Sequence, residues 1–437
     1  MANDGKTDLL RLLDPVLGPG TKGYPLQQPA LPASEIGAQG WSVAAGDLPL
    51  PLAVIRRSAL EHNLGWMQRF AAERRLALAP HGKTTMSPQL FGRQLRAGAW
   101  GMTVASVTQA MVAAAAGASR ILIANQVLDR AELAALAALR SSGGGLRVLF
   151  LLDSAAQLAA IEAAIEAAVE ATAGPAEPAF EVLLEVGVEG GRTGCRSEAQ
   201  ALALARMARA SAAVRLVGIE CFEGLRIGAD EADDAAQVAA FMGLLRAVAD
   251  GCAGEGLFET DEVLLSAGGS AVFDLVATAL QTPLAQPMRG LLRSGCYLTH
   301  DQGHYQRLVA RVDRRLGCGD GLRGALEVWA RVQSCPEPGL AIVAVGKRDA
   351  SYDMGLPQPL GWCAGTRRLP QAAPAGWRID ALNDQHAYLR HEPGRGPAVG
   401  DRLVLGISHP CTTFDKWRWM PVVDDDYLVV DAITTCF

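Results

Sequence analysis

The sequence has no block of basic residues. Its 40 lysines and arginines stand against 46 acids, a formal charge of −6, and this leaves no cationic face for nucleic acid or anionic lipid. It also lacks long apolar runs, since charge breaks each one before the roughly 18 residues that a membrane helix needs. The first thirty residues carry early acids and no compact apolar core, so they do not read as a signal peptide. Nine cysteines, an odd number without regular spacing, give no disulfide framework. These absences predict a soluble cytoplasmic protein that binds neither nucleic acid nor membrane. What is there is ample: 437 residues, half of them hydrophobic, are enough for a large core and two domains.

Residues 1–50 are rich in proline and glycine and read as a surface arm. A short strand at 51–56 and an amphipathic helix from Ser58, a plausible N-cap, follow. Then short apolar, partly β-branched runs alternate with stretches of helical length. The runs are LALAP at 76–80, MTVAS at 102–106, RILIAN at 120–125, RVLFLLD at 147–153, FEVLLEV at 180–186, RLVGIECF at 215–222, EVLLSAGG at 262–269 and RGLLRSGCYL at 289–298. Eight such units predict an α/β fold, a parallel (β/α)8 barrel over 51–308, although an open doubly wound sheet permits the same alternation. Beyond about residue 309 the helical periodicity fades. Runs such as ALEVWARVQSC and RLVLGISH between Pro/Gly loops predict an all-β domain over 309–437.

Working residues of a barrel sit at the C-terminal ends of its strands. Lys83 is placed there, after the first run, either as a partly desolvated nucleophile able to form a Schiff base or as an ordinary ion-paired lysine. Glycine-rich turns follow the last two strands, SAGGSAVFD at 266–274 and LRSGCY at 292–297. Their backbone N–H groups, with the Ser270 hydroxyl, suit a phosphate, although tight turns alone explain the glycines. A lysine at strand one with a phosphate cup at strands seven and eight describes pyridoxal phosphate better than a sugar phosphate. Arg192, in GVEGGRTGCR, suits a cofactor ring oxygen or a substrate carboxylate, or is a surface arginine. Glu223 faces the mouth or ends its strand. In SHPCTTFDKWRW, His409 and Cys411 are two apart, so an extended strand points both one way, as a zinc pair would require; a buried cysteine beside a chance histidine is the alternative.

Together PHGKT at 80–84, the Arg192 turn, AGGS at 267–270, LRSGCYLTHD at 292–301 and SHPC at 408–411 resemble the D-serine dehydratase and D-threonine aldolase family. These are pyridoxal-phosphate enzymes on the alanine-racemase-type barrel, and the resemblance spans about residues 50–437. It implies Lys83 as the lysine that carries the cofactor, and Arg192 beside the pyridoxal ring. It implies a phosphate cup at Gly268, Gly269 and Ser270, closed by Ser294 and Gly295. It also implies His409 and Cys411 as ligands of a divalent metal, commonly zinc, and a head-to-tail homodimer. Two positions depart from the family: Thr85 replaces a frequent second histidine, and Phe222 replaces a frequent tyrosine, so Glu223 becomes a candidate for the ring nitrogen. The wording is closer to the deaminating branch. That implies dehydration and deamination of a D-3-hydroxy amino acid to a 2-oxo acid and ammonia, with retro-aldol cleavage to glycine and an aldehyde as the alternative. Phe414, Trp417 and Trp419 line a substrate pocket or pack the β domain.

Overall fold

A computed structural model describes residues 12–142, 144–172, 179–226, 228 and 230–437. The first eleven residues of the expected arm lie outside them. The chain forms two compact units, one made of Met67–Lys83 with Phe91–Gly295, the other of the chain up to Trp66, Thr84–Leu90 and Cys296–Phe437.

The first unit holds all eight expected strands: Ala77–Leu78, Met102–Val104, Arg120–Gln126, Arg147–Leu152, Phe180–Val186, Val214–Cys221, Val263–Ala267 and Met288–Leu292. Every pairing between them is parallel, and the first strand pairs with the eighth. The remaining seam, between first and second strands, is closed by the Thr103 amide donating to the Pro80 carbonyl at 2.9 Å and by a parallel bridge from His81 to Thr103. The ring is therefore a barrel, and the apolar side chains Ala79, Leu122, Leu149, Leu151, Leu183, Val217, Leu264 and Leu291 fill one buried cluster. Strands buried on both faces explain why the sequence shows continuous apolar runs rather than alternation.

The helices begin where short polar side chains satisfy free amides. Ser106 accepts from Gln109, Asp129 from Ala131 and Glu132, and Ser197 from Gln200. Ser58 differs from expectation. The helix runs Arg57–Glu73, and the Ser58 hydroxyl donates to Asp425 at 2.7 Å instead of capping it. The helix Glu231–Gly254 is long and apolar enough to cross a bilayer by length and composition. Its residues Val238, Phe241, Met242, Leu245 and Val248 are nevertheless buried within its own unit.

The second unit is built on an antiparallel sheet. Its long strand Leu326–Glu337 pairs with Arg402–Gly406, with Leu340–Val343 and with Leu52–Arg56, the strand expected before the first helix. Trp329, Trp417, Trp419, Phe414 and Tyr24 are fully enclosed. The Trp417 and Trp419 indole N–H groups donate to the Asp349 and Lys22 carbonyls at 2.8 and 2.9 Å. Phe414, Trp417 and Trp419 are thus core packing with satisfied polar edges, which settles the choice left open by sequence.

Candidate active site

Lys83 lies in the 3-10 turn Gly82–Thr84 that follows the first barrel strand. The glycine before it is there for space, because a Cβ on Gly82 would meet the Phe91 ring at 2.6 Å. The lysine itself is exposed, so the desolvation argued from its place after an apolar run does not describe this chain. A neighbour unassigned by sequence reasoning stands beside it. Burial, with the charges of Lys83, Arg293 and Arg192 nearby, holds His81 well below the usual imidazole range, so the ring is neutral. Its Nδ1 is buried without a partner.

The glycine turns meet as expected from their places after the seventh and eighth strands. The Ser294 hydroxyl donates to the Gly269 carbonyl at 2.8 Å and more weakly to that of Gly268, tying one turn to the other. Gly268 has φ +98°, and a Cβ there would strike Leu292 at 2.7 Å. Ser270 and Gly295 continue the same two turns. The amides of Gly268 and Gly269 donate to the two oxygens of Glu223 at 3.1 and 2.5 Å. Glu223 therefore spends its carboxylate on the cup and not on a ring nitrogen. Two of the N–H groups expected to hold a phosphate thus hold the side chain of Glu223.

Arg192 lies with its guanidinium carbon 5.0 Å from the centre of the Phe222 ring, and the same ring comes within 3.0 Å of where a Gly269 Cβ would be. Phe222 thus links the Arg192 turn to the cup. The turn is held by Glu185, which accepts from the Thr193 hydroxyl at 2.7 Å and from Gln126, and by Asp153, which accepts from the Gly194 amide at 3.0 Å. Deeper in the barrel, Arg293 pairs with Glu220 and donates to the Cys221 carbonyl at 2.7 Å. Burial pushes the Glu220 carboxyl up to about 8, against the pull of Arg293. A charged pair at the ends of two apolar strands was visible as RSG and ECF, but nothing in the sequence said that they meet.

In the second unit, His409 and Cys411 do not share the face of an extended strand. The strand Arg402–Gly406 has ended, and the chain turns through Pro410 into the helical turn Cys411–Phe414. Proline's fixed φ suits the start of such a turn. His409 Nδ1 lies 2.6 Å from Asp353, whose other oxygen accepts from the Thr412 hydroxyl at 2.7 Å. Cys411 Sγ lies 3.4 Å from the Thr84 hydroxyl and 3.6 Å from Cys296 Sγ. Tyr305 hydrogen-bonds Cys296, and the charge of that thiol, with burial, raises the phenol. Among the described residues, no three histidine, cysteine, aspartate or glutamate side chains gather closely enough to hold a metal ion. The donor set nonetheless fits one. A carboxylate on Nδ1 leaves Nε2 as the ligand nitrogen, the arrangement usual for metal-bound histidine.

Comparison with known proteins agrees with this construction. The family model of the alanine racemase N-terminal domain matches residues 55–305, and that of a putative serine dehydratase domain matches residues 325–423. A D-threonine aldolase from Arthrobacter sp. is 29% identical over 418 residues, covering 92% of this chain and 94% of that protein. Among solved structures, the D-threonine aldolase of Filomicrobium marinum superposes with a TM-score of 0.74 at 24% identity, over 91% of this chain and 97% of that one. The D-threo-3-hydroxyaspartate dehydratase of Delftia sp. HT23 gives 0.67 at 24%, over 90% and 99%. With a barrel model matched over more than half its length, and a dehydratase model behind it, the chain belongs to the D-serine dehydratase and D-threonine aldolase family, pyridoxal-phosphate-dependent lyases on the alanine-racemase-type barrel.

Proposed function

We propose that this protein dehydrates and deaminates a D-3-hydroxy amino acid, using pyridoxal phosphate and a divalent metal, and releases a 2-oxo acid and ammonia. The observation that carries the metal-assisted reading is His409, whose Nδ1 is held by Asp353 so that Nε2 is left to bind. A cysteine-to-alanine mutant of a D-threo-3-hydroxyaspartate dehydratase in the metal-free form is among the solved structures, which supports a metal in that relative.

Pyridoxal phosphate, when bound, supplies an electron sink for the pair left as Cα loses its proton. The Ser270 hydroxyl and the turn at Ser294 and Gly295 would receive its phosphate, together with the Gly268 and Gly269 amides once the Glu223 carboxylate releases them. Arg192, stacked on Phe222, offers an oriented guanidinium to the ring oxygen or the substrate carboxylate. Lys83 would hold the cofactor, and its Nζ would take the α-proton. His409 Nε2 and Cys411 Sγ would hold the metal, whose Lewis acidity would make the β-hydroxyl a better leaving group. Nine cysteines, all thiols, suit a cytoplasmic setting, and we extend the proposal to a homodimer there.

The retro-aldol reading has an observation of its own in the similarity to the Arthrobacter D-threonine aldolase. A product assay on D-threonine separates the two. Ammonia with 2-oxobutanoate, abolished by a chelator and absent from L-threonine, supports the dehydratase. Glycine with acetaldehyde overturns it in favour of the aldolase.

A further inference from the structure

Glu223 is buried and opens the 3-10 turn Glu223–Arg226, just after the sixth barrel strand. Its two oxygens take the successive amides of Gly268 and Gly269, at 3.1 and 2.5 Å. Consecutive backbone N–H groups turned to one side form a concavity for an anion, and Gly268 makes the turn with its φ of +98°. One carboxylate oxygen on each amide is a two-point, charge-assisted grip. It is not a helix cap, because the helix that follows, Phe273–Gln281, starts only after Val272. Nor does the turn depend on Glu223 alone. The Ser294 hydroxyl holds the same two glycines from the other side, through their carbonyls.

We infer that Glu223 is an internal competitor for the phosphate cup, a carboxylate that closes the two amides and must leave before a phosphate monoester takes them. This rests on the pyridoxal phosphate reading above and deepens it by giving the cup a closed state. The fold also offers the side chain a second seat. Glu223 lines a cavity of about 350 Å³ whose walls include Phe222, Phe241, Arg196 and Gln237. Arg196 brings a countercharge there and Gln237 an amide donor. A cup closed nine-tenths of the time binds a phosphate about tenfold more weakly than an open one. Closure therefore acts on the phosphate and leaves the rest of the cofactor untouched.

The test reads cofactor binding by absorbance and fluorescence, on the full-length protein stripped of cofactor and reloaded. Pyridoxal, which lacks the phosphate, is the reference ligand. Both ligands meet the same Lys83, so the ratio of their affinities reads the phosphate alone. Glu223→Gln, without the charge and one acceptor, should tighten pyridoxal phosphate binding about tenfold and leave pyridoxal within about twofold. Inorganic phosphate should compete at about tenfold lower concentration in the variant. Glu223→Asp, one methylene shorter and unable to span both amides, should shift the same way, and it decides if the glutamine variant does not fold. Unchanged or weaker pyridoxal phosphate binding would overturn the inference and leave Glu223 as a brace between two turns. Equal gains for both ligands would also overturn it, by putting the effect on the ring and not on the phosphate. A parent that takes up pyridoxal phosphate beside a variant no tighter removes this inference alone. A protein that takes up neither ligand removes the cofactor reading with it.

Discussion

Asp353 and His409 meet at 2.6 Å although 56 residues separate them. Partial burial of Asp353 works against its ionisation, but the Thr412 hydroxyl and the His409 ring hold its carboxyl below the usual range. The pair fixes which imidazole nitrogen is free.

Asp353→Asn should therefore weaken metal binding without unfolding the unit. Loss of such an orienting carboxylate typically costs 10- to 100-fold in metal affinity. Competition with a chromophoric chelator measures it directly, and an affinity within twofold of the parent would show that the carboxylate does not orient the ring.

Lys83→Arg should keep the charge after the first barrel strand but lose the ability to link covalently to the cofactor. After borohydride treatment, the parent should yield a pyridoxyl-labelled peptide containing Lys83, and the variant none. Because Lys83 is exposed, the melting temperature should move little. A labelled peptide elsewhere in the chain would displace Lys83 from its role.

The barrel was legible because each buried strand carries its own signal. The runs at 120–125, 147–153 and 180–186 correspond to Arg120–Gln126, Arg147–Leu152 and Phe180–Val186. The glycine turn after the seventh strand was legible too, since Gly268 needs a positive φ and Gly269 leaves no room for a Cβ beside Phe222. What sequence could not show was who fills a pair of hydrogen bonds. Glu223 was free to end a strand or reach a ring, and only the fold sets its oxygens on two glycine amides. His409 and Cys411 were read as an extended H-x-C because spacing says nothing of Pro410 turning the chain. Cys296, Tyr305 and Asp353 are ordinary residues in the sequence, and they join the site through contacts across long stretches of chain.

Asp301 anchors the helix His304–Leu316, which carries Tyr305. Its carboxylate accepts from the Gly303, Tyr305 and Gln306 amides at 2.9, 3.1 and 3.0 Å. Asp301→Ala leaves three amides unpaired at a helix start and should cost about 2 kcal/mol. Asp301→Asn, which keeps an acceptor oxygen, should recover part of it. Unfolding midpoints in urea measure the loss, and equal stability of the alanine variant would mean that water replaces the carboxylate freely.

His300 supplies a pH dependence whose sign is fixed by burial. The ring is almost wholly enclosed, and both of its nitrogens lack partners. Burial lowers it from 6.5 to about 4. The unfolded chain therefore binds a proton at this residue below about pH 6.5, while the folded chain resists until about pH 4. Stability is full above pH 6.5 and is lost as the pH falls through that window. Two and a half pH units correspond to about 3 kcal/mol. His300→Asn removes the titration and keeps a residue that tolerates the φ of +49° found there. Between pH 7 and pH 4 the parent should lose about 3 kcal/mol more than the variant. Urea midpoints at pH 7, 6, 5 and 4 give the comparison. Two curves falling in parallel would show that the histidine is protonated in the folded state, with water or a shifted backbone carbonyl reaching its ring.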